Sequence, residues 1–287
     1  MEYVDLDGNK KEFRNGFDGS LSFLYTTAIG RLILKPVVSP RVSRFCGKLL
    51  DTKLSTLIVP LFIKRAGIDM SDYEDRKYTS FNDFFTRTIL PGARPVESGE
   101  KILISPCDSY ASVYPIRKNS NFIVKNTEYT LKSLLRSKKL AKRFEGGYLF
   151  LLRLTVSDYH RYCYPVTGSK TKNIHIDGVF HTVNPVANDC LPIYRENTRE
   201  YTLIRTKDFA DVIQMEVGAL LVGRIKNHDE SARVTRGCEK GYFEYGGSTV
   251  IVLTQKDTVI PREDLLKNTE EDLETKILQG QKLGEKA

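Results

Sequence analysis

The stretch GYFEYGGSTVIVLT, residues 241–254, places two glycines before Ser248 and a run of β-branched residues after it. The run predicts a buried strand that begins near the serine. Val250 occupies the position where a nucleophile elbow of the GxSxG type needs its second glycine, so an ordinary serine hydrolase is not indicated. Because Gly247 lacks a Cβ, the backbone there can bend until the Ser248 hydroxyl meets the preceding carbonyl, which permits an N-to-O acyl shift. A simple glycine turn before a strand fits the same letters.

Outward from this stretch, the chain divides into two kinds of sequence. Short apolar or alternating runs such as KILIS and GYLFLLRLTV recur from about residue 101 to 265 and predict strands, interrupted by one helix around Leu131–Lys142. The first third has apolar residues at helical spacing, and Ser80 is placed to cap a short helix. We therefore expect an α+β protein, with a helical N-terminal region over 1–97 and a β-rich catalytic core over 98–287.

Composition and charge limit the partners. The 287 residues are 40% hydrophobic and 28% charged, as in globular proteins, and the net charge of +8 favours an anionic partner. A nucleic acid is the least expected partner, because no recognised binding motif accompanies the charge. No apolar run approaches the roughly 20 residues of a membrane span. Any membrane contact is therefore expected to be peripheral.

The segment KPVVSPRVSRFCGKLLDTK, residues 35–53, combines five cations with apolar residues and a single acid. An apolar helix face beside clustered cations is suited to lying on an anionic bilayer. A helix that packs on the protein's own core and leaves its basic side in solvent fits equally well.

The cysteines do not form a recognisable metal or disulfide pattern. Their number is odd, no two of them make a CxxC pair, and the His and Cys spacing does not suit zinc, so no metal site is expected. A reducing cytosolic location is the better expectation. The five lie at positions 46, 107, 163, 190 and 238.

Two further segments contain residues suited to acid–base chemistry. His160 in SDYHRYCYP can exchange protons near neutral pH, although a structural histidine bonded within a sheet fits too. Asp108 in SPCDSYASV follows a predicted strand, where it could be a turn former or could orient a base. Neither segment is decisive by itself.

The order of these segments resembles the phosphatidylserine decarboxylase family, from about Phe81 to Gly284. The family shows the same motifs in the same sequence, and chance agreement of seven ordered motifs is remote. The matching stretches in this chain are SFNDFFTR with PGARPV, SPCDS, DYHR, VNP, ENTRE, VGALLVG and GGST.

The resemblance implies a precursor that cuts itself between Gly247 and Ser248 into a β chain (1–247) and an α chain (248–287). Ser248 would become a pyruvoyl group, the covalent cofactor, and would convert phosphatidylserine to phosphatidylethanolamine and CO₂ through a Schiff base. Asp108 matches the family's self-cleavage aspartate, and His160 matches a histidine of the decarboxylation step. The resemblance also implies a peripheral protein on the cytoplasmic face of an anionic membrane, and suggests a homodimer.

The chain departs from the family pattern at Cys163, where the family has a second histidine that serves self-cleavage. A thiol is a poorer base near neutral pH than an imidazole unless its thiolate is stabilised. Three hypotheses remain open: Cys163 is the base, His160 serves both steps, or processing is slow or absent. Two other functions also remain open, a pyruvoyl decarboxylase of a free amino acid and an unprocessed, non-catalytic lipid-binding homologue.

Overall fold

The computed structural model describes residues 2–12, 18–119, 121–124, 127–188, 190–219, 224–246 and 248–287. Within these ranges, helices prevail before residue 90 and strands prevail after it. The predicted α+β class, with a helical N-terminal region ahead of a β-rich core, is confirmed.

Two strands precede the N-terminal helices, which the sequence pattern did not indicate. β1 pairs in parallel with a strand near the C-terminus, so the start of the chain belongs to the main sheet. The elements of this part are β1 (Glu2–Val4), β2 (Lys10–Glu12), α1 (Asp18–Thr26), α2 (Ala28–Val37), α3 (Pro40–Leu50), a 3₁₀ helix (Lys53–Ile58), α4 (Val59–Ala66) and α5 (Phe81–Phe85).

Side-chain caps determine where several of these helices begin. Thr27 accepts a hydrogen bond from the Gly30 amide at 2.9 Å, and Ser80 accepts one from the Asp83 amide at 3.1 Å. Each hydroxyl satisfies an N–H group that the first helical turn leaves without a partner. The Ser80 cap predicted from the sequence is confirmed.

The remaining elements are mostly strands. The first half contains β3 (Ile102–Ile104), β4 (Ser109–Pro115), β5 (Asn121–Val124), β6 (Thr127–Thr130), α6 (Leu131–Leu135), α7 (Lys138–Arg143), β7 (Tyr148–Leu154), β8 (Arg161–Cys163), β9 (Gly168–Lys170), β10 (Ile174–Ile176), α8 (Pro185–Asn188) and α9 (Ile193–Glu196). The second half contains β11 (Arg199–Arg205), β12 (Asp211–Gly218), β13 (Ile225–Asn227), β14 (Ala232–Val234), β15 (Glu239–Phe243), β16 (Ser248–Leu253), β17 (Val259–Pro261), α10 (Glu263–Glu270), β18 (Glu274–Ile277) and β19 (Lys282–Lys286). The single helix predicted over 131–142 is wrong: it is two helices, because Arg136 ends α6 with a positive φ of 52°.

An eleven-stranded sheet forms the centre of the molecule. Its order is β14-β9-β11-β12-β16-β7-β4-β18-β1-β2, with β10 also paired to β11. β16 lies between β12 and β7, antiparallel to both, and all six of its residues are buried. An apolar run covered on both faces explains why this strand lacks polar alternation.

The register of the sheet brings one set of strand ends together. Ser248 at the start of β16 pairs with Gly218 at the end of β12 and with Leu154 at the end of β7. On the next strand, Ser109 begins β4 and lies one position beyond the Tyr110–Arg153 pair. Neighbouring strands lie about 4.8 Å apart, so the start of β4 is about 10 Å from Ser248 across β7.

A second hydrophobic core connects the N-terminal helices to the sheet. We call its aromatic members the aromatic cluster; they are Phe62, Tyr73, Tyr78, Phe81, Phe84, Phe85, Tyr159 and Tyr245. Its rings meet edge to face in most pairs, which is the favoured arrangement of aromatic side chains. The cluster places α5 against the segments that contain His160 and lead into Ser248.

Candidate active site

Ser248 lies at the buried end of the central strand. Its side chain is inaccessible to solvent, and its Oγ has no hydrogen-bond partner within the described residues. Gly246, two positions earlier, has a φ of 132°, a conformation that side chains with a Cβ rarely adopt. Gly247, the other residue of the predicted cleavage site, lies outside the described residues.

His160 is held in one orientation by a backbone carbonyl. Its Nδ1 lies 2.9 Å from the Asp158 carbonyl oxygen, and its ring packs against Phe85 with centroids 4.2 Å apart. A carbonyl oxygen only accepts hydrogen bonds, so Nδ1 bears the proton and Nε2 keeps a free lone pair. Nε2 is buried and has no hydrogen-bond partner in the described part of the chain.

Burial lowers the pKa of His160 to about 4, against smaller upward contributions from the carbonyl and charge of Asp158 and from the Gly246 carbonyl. The imidazole is therefore neutral at physiological pH and can accept a proton at Nε2.

The structure brings His160 to the residues immediately before Ser248. The His160 carbonyl accepts a hydrogen bond from the Phe243 amide at 2.9 Å, and the Gly246 carbonyl is close enough to affect the imidazole. Phe85, which contacts His160, also packs against Tyr245 with ring centroids 5.2 Å apart. A neutral base thus lies beside the segment that ends at the buried serine.

The loop that presents the Asp158 carbonyl is fixed by its own side chain. The Asp158 carboxylate accepts hydrogen bonds from the Thr155 amide and hydroxyl at 2.7 and 2.8 Å, and it also binds Lys276. Burial alone would raise the pKa of Asp158, but the charge and hydrogen bond of Lys276 and the bonds from Thr155 lower it. The carboxylate stays charged, and the carbonyl that orients His160 stays in place.

Asp108 lies near the start of β4 and binds an arginine rather than the histidine. It receives a bidentate contact from Arg94 at 2.8–3.0 Å and a hydrogen bond from the Gln279 amide at 2.8 Å. The Gln279 side chain also donates to the Pro106 carbonyl at 3.0 Å. Asp108 therefore links the segments that surround the strand ends, and it does not orient His160, whose Nδ1 is held by a backbone carbonyl.

Cys163 occupies a different environment from His160, although the two are only three residues apart. Its buried Sγ makes one long contact, 3.9 Å from the Ser105 carbonyl, and its amide donates to the Pro106 carbonyl at 2.8 Å. Burial raises the pKa of the Cys163 thiol to about 12. The thiol is therefore protonated at neutral pH and is a poor base.

Two arginines of the site were not singled out as functional by residue chemistry alone. Arg94 holds Asp108, and Arg87 lies buried beside the aromatic cluster. Both belong to quoted motifs, PGARPV and SFNDFFTR, so the motif positions were the only signal that could have found them.

The fold and this arrangement of strand ends fit a self-processing lyase, and comparison with known proteins gives the family. The sequence model of the phosphatidylserine decarboxylase family matches residues 81–285. The chain belongs to this family of carboxy-lyases, which acts in phospholipid biosynthesis.

Its relatives are named as precursors. The chain is 44% identical to phosphatidylserine decarboxylase proenzyme 2 of Clostridium acetobutylicum over 278 residues, covering 96% of this chain and 94% of that protein. It is 36% identical to the phosphatidylserine decarboxylase proenzyme of Fusobacterium nucleatum, covering 93% and 91% of the two chains. The proenzyme of Chlamydia caviae is also 36% identical, with 99% and 97% covered.

Proposed function

We propose that this chain is a phosphatidylserine decarboxylase proenzyme that cuts itself at Gly247–Ser248 and uses the resulting pyruvoyl group to form phosphatidylethanolamine and CO₂. The observation that supports this most directly is that two buried side-chain atoms, Ser248 Oγ and His160 Nε2, have no hydrogen-bond partner among the described residues. Ser248 follows the glycine pair 246–247 in the sequence, and the neutral imidazole of His160 lies beside Gly246.

Self-cleavage uses residues of the uncut chain. The Ser248 hydroxyl transfers its proton to His160 Nε2, and its oxygen attacks the Gly247 carbonyl carbon. The C–N bond between Gly247 and Ser248 then breaks and the Ser248 nitrogen takes the proton from Nε2, which leaves an ester between the two residues and a free amine on Ser248. Elimination across the Ser248 Cα–Cβ bond then releases the Gly247 carboxylate, and water replaces the Ser248 nitrogen, which leaves as ammonia. His160 is the base because its pKa keeps it neutral, whereas Cys163 remains a protonated thiol.

The residues around Ser248 suit a covalent carbonyl group at that position. The Oγ has no hydrogen bond in the described structure that would have to break, and Gly218 beside it adds no side chain to the space. A pyruvoyl group there supplies an electron sink for the carbanion left by loss of CO₂. His160 Nε2 would take up the proton that the substrate ammonium gives up and return it to the carbon that loses CO₂. The aromatic cluster, which contacts the His160 ring through Phe85, would exclude water there.

The two chains would stay together after the cut. β16 is hydrogen-bonded along its length to β12 and β7, and β18 and β19 are paired to strands of the first 247 residues. The α chain is therefore held by the sheet ladders, and the new N-terminus stays at the site. A homodimer remains a prediction from the family resemblance.

The substrate is proposed to enter from a membrane surface. Ten of the sixteen large hydrophobic side chains that are exposed in the described residues lie between positions 23 and 61, and we call these the apolar surface. They are Phe23, Ile29, Leu32, Ile33, Phe45, Leu49, Leu54, Leu57, Ile58 and Leu61. Clusters of this kind mark contact sites, and the nearby lysines and arginines would attract anionic lipid.

The described helices include none long and apolar enough to cross a bilayer. We propose peripheral binding at the cytoplasmic face, with residues 1–97 as the membrane-contact region and 98–287 as the catalytic region. The membrane contacts would come from the helices over 18–66, because residues 2–12 are strands of the main sheet.

Intact-mass spectrometry of the purified protein tests the proposal. The expected result is two species, Met1–Gly247 and a pyruvoyl-blocked chain from position 248, with a single uncut mass for Ser248→Ala. The processed protein should then decarboxylate phosphatidylserine in vesicles. A single uncut wild-type mass would favour the unprocessed lipid-binding homologue, and activity only on free serine would favour the amino-acid decarboxylase.

A further inference from the structure

Arg87 is a buried cation that forms no ion pair with any described residue. Its side chain is 1% exposed, and its Nε and Nη1 have no hydrogen-bond partner within the described residues. Nη2 donates to the Tyr73 hydroxyl at 3.2 Å and approaches the Ser157 carbonyl at 3.5 Å. The donors of a buried guanidinium are normally satisfied, by a carboxylate as for Arg94 or by backbone carbonyls as for Arg199. Two donors of Arg87 without a partner among the described residues therefore leave room for a ligand that accepts hydrogen bonds.

The guanidinium is held in place by aromatic rings. Its central carbon lies 4.1 Å from the Tyr73 ring centroid and 4.9 Å from that of Phe84. These cation–π contacts compensate part of the desolvation and fix the plane of the group. The fork of Arg87 is thus oriented before any ligand arrives.

Arg87 lies between the apolar surface and the proposed reaction centre. Phe62, next to Leu61 of the apolar surface, packs against Phe84 with ring centroids 6.1 Å apart, and Phe84 lies under the guanidinium. Phe85, the next residue, contacts the His160 ring. In space, the path therefore leads from the apolar surface to the Arg87 guanidinium and then to His160 and Ser248.

The substrate has its groups in the corresponding order: acyl chains, phosphodiester, then the serine that reacts. We propose that Arg87 binds the substrate phosphodiester through its Nε and Nη1 donors and thereby selects a phosphorylated serine over the free amino acid. This inference rests on the proposed function and names a specificity residue for it. A guanidinium fork matches phosphate oxygens in a bidentate geometry.

The phosphodiester suits Arg87 better than the substrate carboxylate does. The carboxylate loses its charge as CO₂ departs, so a cation bound to it would stabilise the ground state and slow the reaction. The phosphodiester keeps its charge throughout. Self-cleavage would also give the substrate access to Arg87. Tyr245, two residues before the cleaved bond, packs against Phe81 and Phe85 and can move away once the bond is cut.

The experiment compares wild type, Arg87→Gln, Arg87→Lys and Lys77→Gln, the last removing an exposed cation from the same segment. Three quantities are measured: self-cleavage by intact mass, kcat and KM on short-chain phosphatidylserine, and calorimetric affinity for short-chain phosphatidylethanolamine. The product retains the phosphodiester but not the carboxylate, so its affinity reports on the phosphodiester contact.

For Arg87→Gln we expect normal self-cleavage, an unchanged kcat, and a KM and product dissociation constant that each rise roughly tenfold or more. Arg87→Lys should fall between it and wild type, because it keeps the charge but loses the fork. Lys77→Gln should behave as wild type.

A raised KM with unchanged product affinity would assign Arg87 to the carboxylate and overturn the proposal. Failure of Arg87→Gln to cut itself would instead place the residue in maturation, as the partner of the Gly247 carboxylate. If Arg87→Gln does not fold, Arg87→Lys decides, since wild-type KM and product affinity in that variant would contradict phosphate binding. A wild-type protein that is neither cut nor active refutes the proposed function itself, which is a distinct result.

Discussion

The N-terminal helices and the central sheet distribute polarity in opposite ways. The helices leave large apolar side chains in solvent, with Leu54 and Leu57 78% and 77% exposed. The sheet region buries groups that normally seek water, among them His160, Ser248, Lys240 and Glu216, each at 0% exposure. Each region departs from the ordinary rule that apolar groups are inside and charged groups outside.

The difference teaches where each part of the proposed function resides. Exposed apolar groups are favourable only if another apolar phase covers them, which suits a lipid surface. Buried polar groups are tolerated when they are paired or when chemistry requires them. The five predictions below test this contrast.

The largest effect is expected at the buried base. His160→Ala should slow self-cleavage by about 100-fold or more, because it removes the buried neutral imidazole that is proposed to take the Ser248 proton. A time course of intact mass after synthesis measures the rate. Thermal unfolding of the variant serves as the control, and cleavage at the wild-type rate in a folded His160→Ala protein would rule out the proposed role.

The buried ion pair of the sheet region gives the next effect. Lys240 Nζ lies 2.7 Å from Glu216 Oε2 and 2.5 Å from Asn227 Oδ1. Lys240→Met should lower the free energy of unfolding by about 3–5 kcal/mol, because it leaves the Glu216 carboxylate buried without its cation. Denaturant titration measures this. The double variant with Glu216→Leu should recover most of the loss, and no recovery would show that packing, not charge, was responsible.

Stability should depend on pH through His160. Its folded pKa of about 4 lies below the unfolded value near 6.5, so only the unfolded state binds the proton in between. Stability is complete above pH 6.5 and falls by about 3 kcal/mol as the pH drops to 4. Denaturant titrations in the uncut Ser248→Ala background should show this loss, and His160→Asn should lack that part of it. Equal pH dependence in both proteins would contradict the buried neutral imidazole.

The apolar surface is tested by Leu54→Ser with Leu57→Ser. Each leucine contributes about 1.5–3 kcal/mol when it moves from water into an apolar phase, so loss of both should lower vesicle binding by at least about 100-fold. Unfolding should change little, because both side chains are exposed in the free protein. Co-sedimentation with phosphatidylserine vesicles measures the binding. Leu6→Ser, which changes an exposed leucine outside the helices, is the control. An equal loss of vesicle binding in this variant would contradict a specific membrane contact by the helices.

The smallest effect is expected at Cys163. Cys163→Ala should leave the cleavage rate unchanged, because a thiol with a pKa of about 12 cannot act as the base at neutral pH. Cys107→Ala, another buried cysteine of the same region, provides the comparison. A strong and specific loss of cleavage in Cys163→Ala would restore the thiol as a candidate base.

Much of this protein follows from local sequence. The α+β class, the strand after Ser248 and the Ser80 cap depend on periodicity, β-branched content and a single hydroxyl. The family was predicted from the order of short motifs, and the comparisons confirm the family. The two helices at Leu131–Leu135 and Lys138–Arg143 were predicted as one. The break comes from the positive φ of Arg136, a backbone conformation that an arginine in the sequence does not predict.

The sequence by itself determined the fold class, the family and the residues available for chemistry. Only the tertiary structure decided their states. His160 is a neutral imidazole, Cys163 is a protonated thiol, Asp108 is the partner of Arg94, and Arg87 is a cation with two donors that have no partner among the described residues. The physical reason is that pKa and hydrogen bonding depend on burial and on neighbours from distant segments. His160 and Cys163 are three residues apart in the chain, and the groups that surround each of them come from different segments of the molecule.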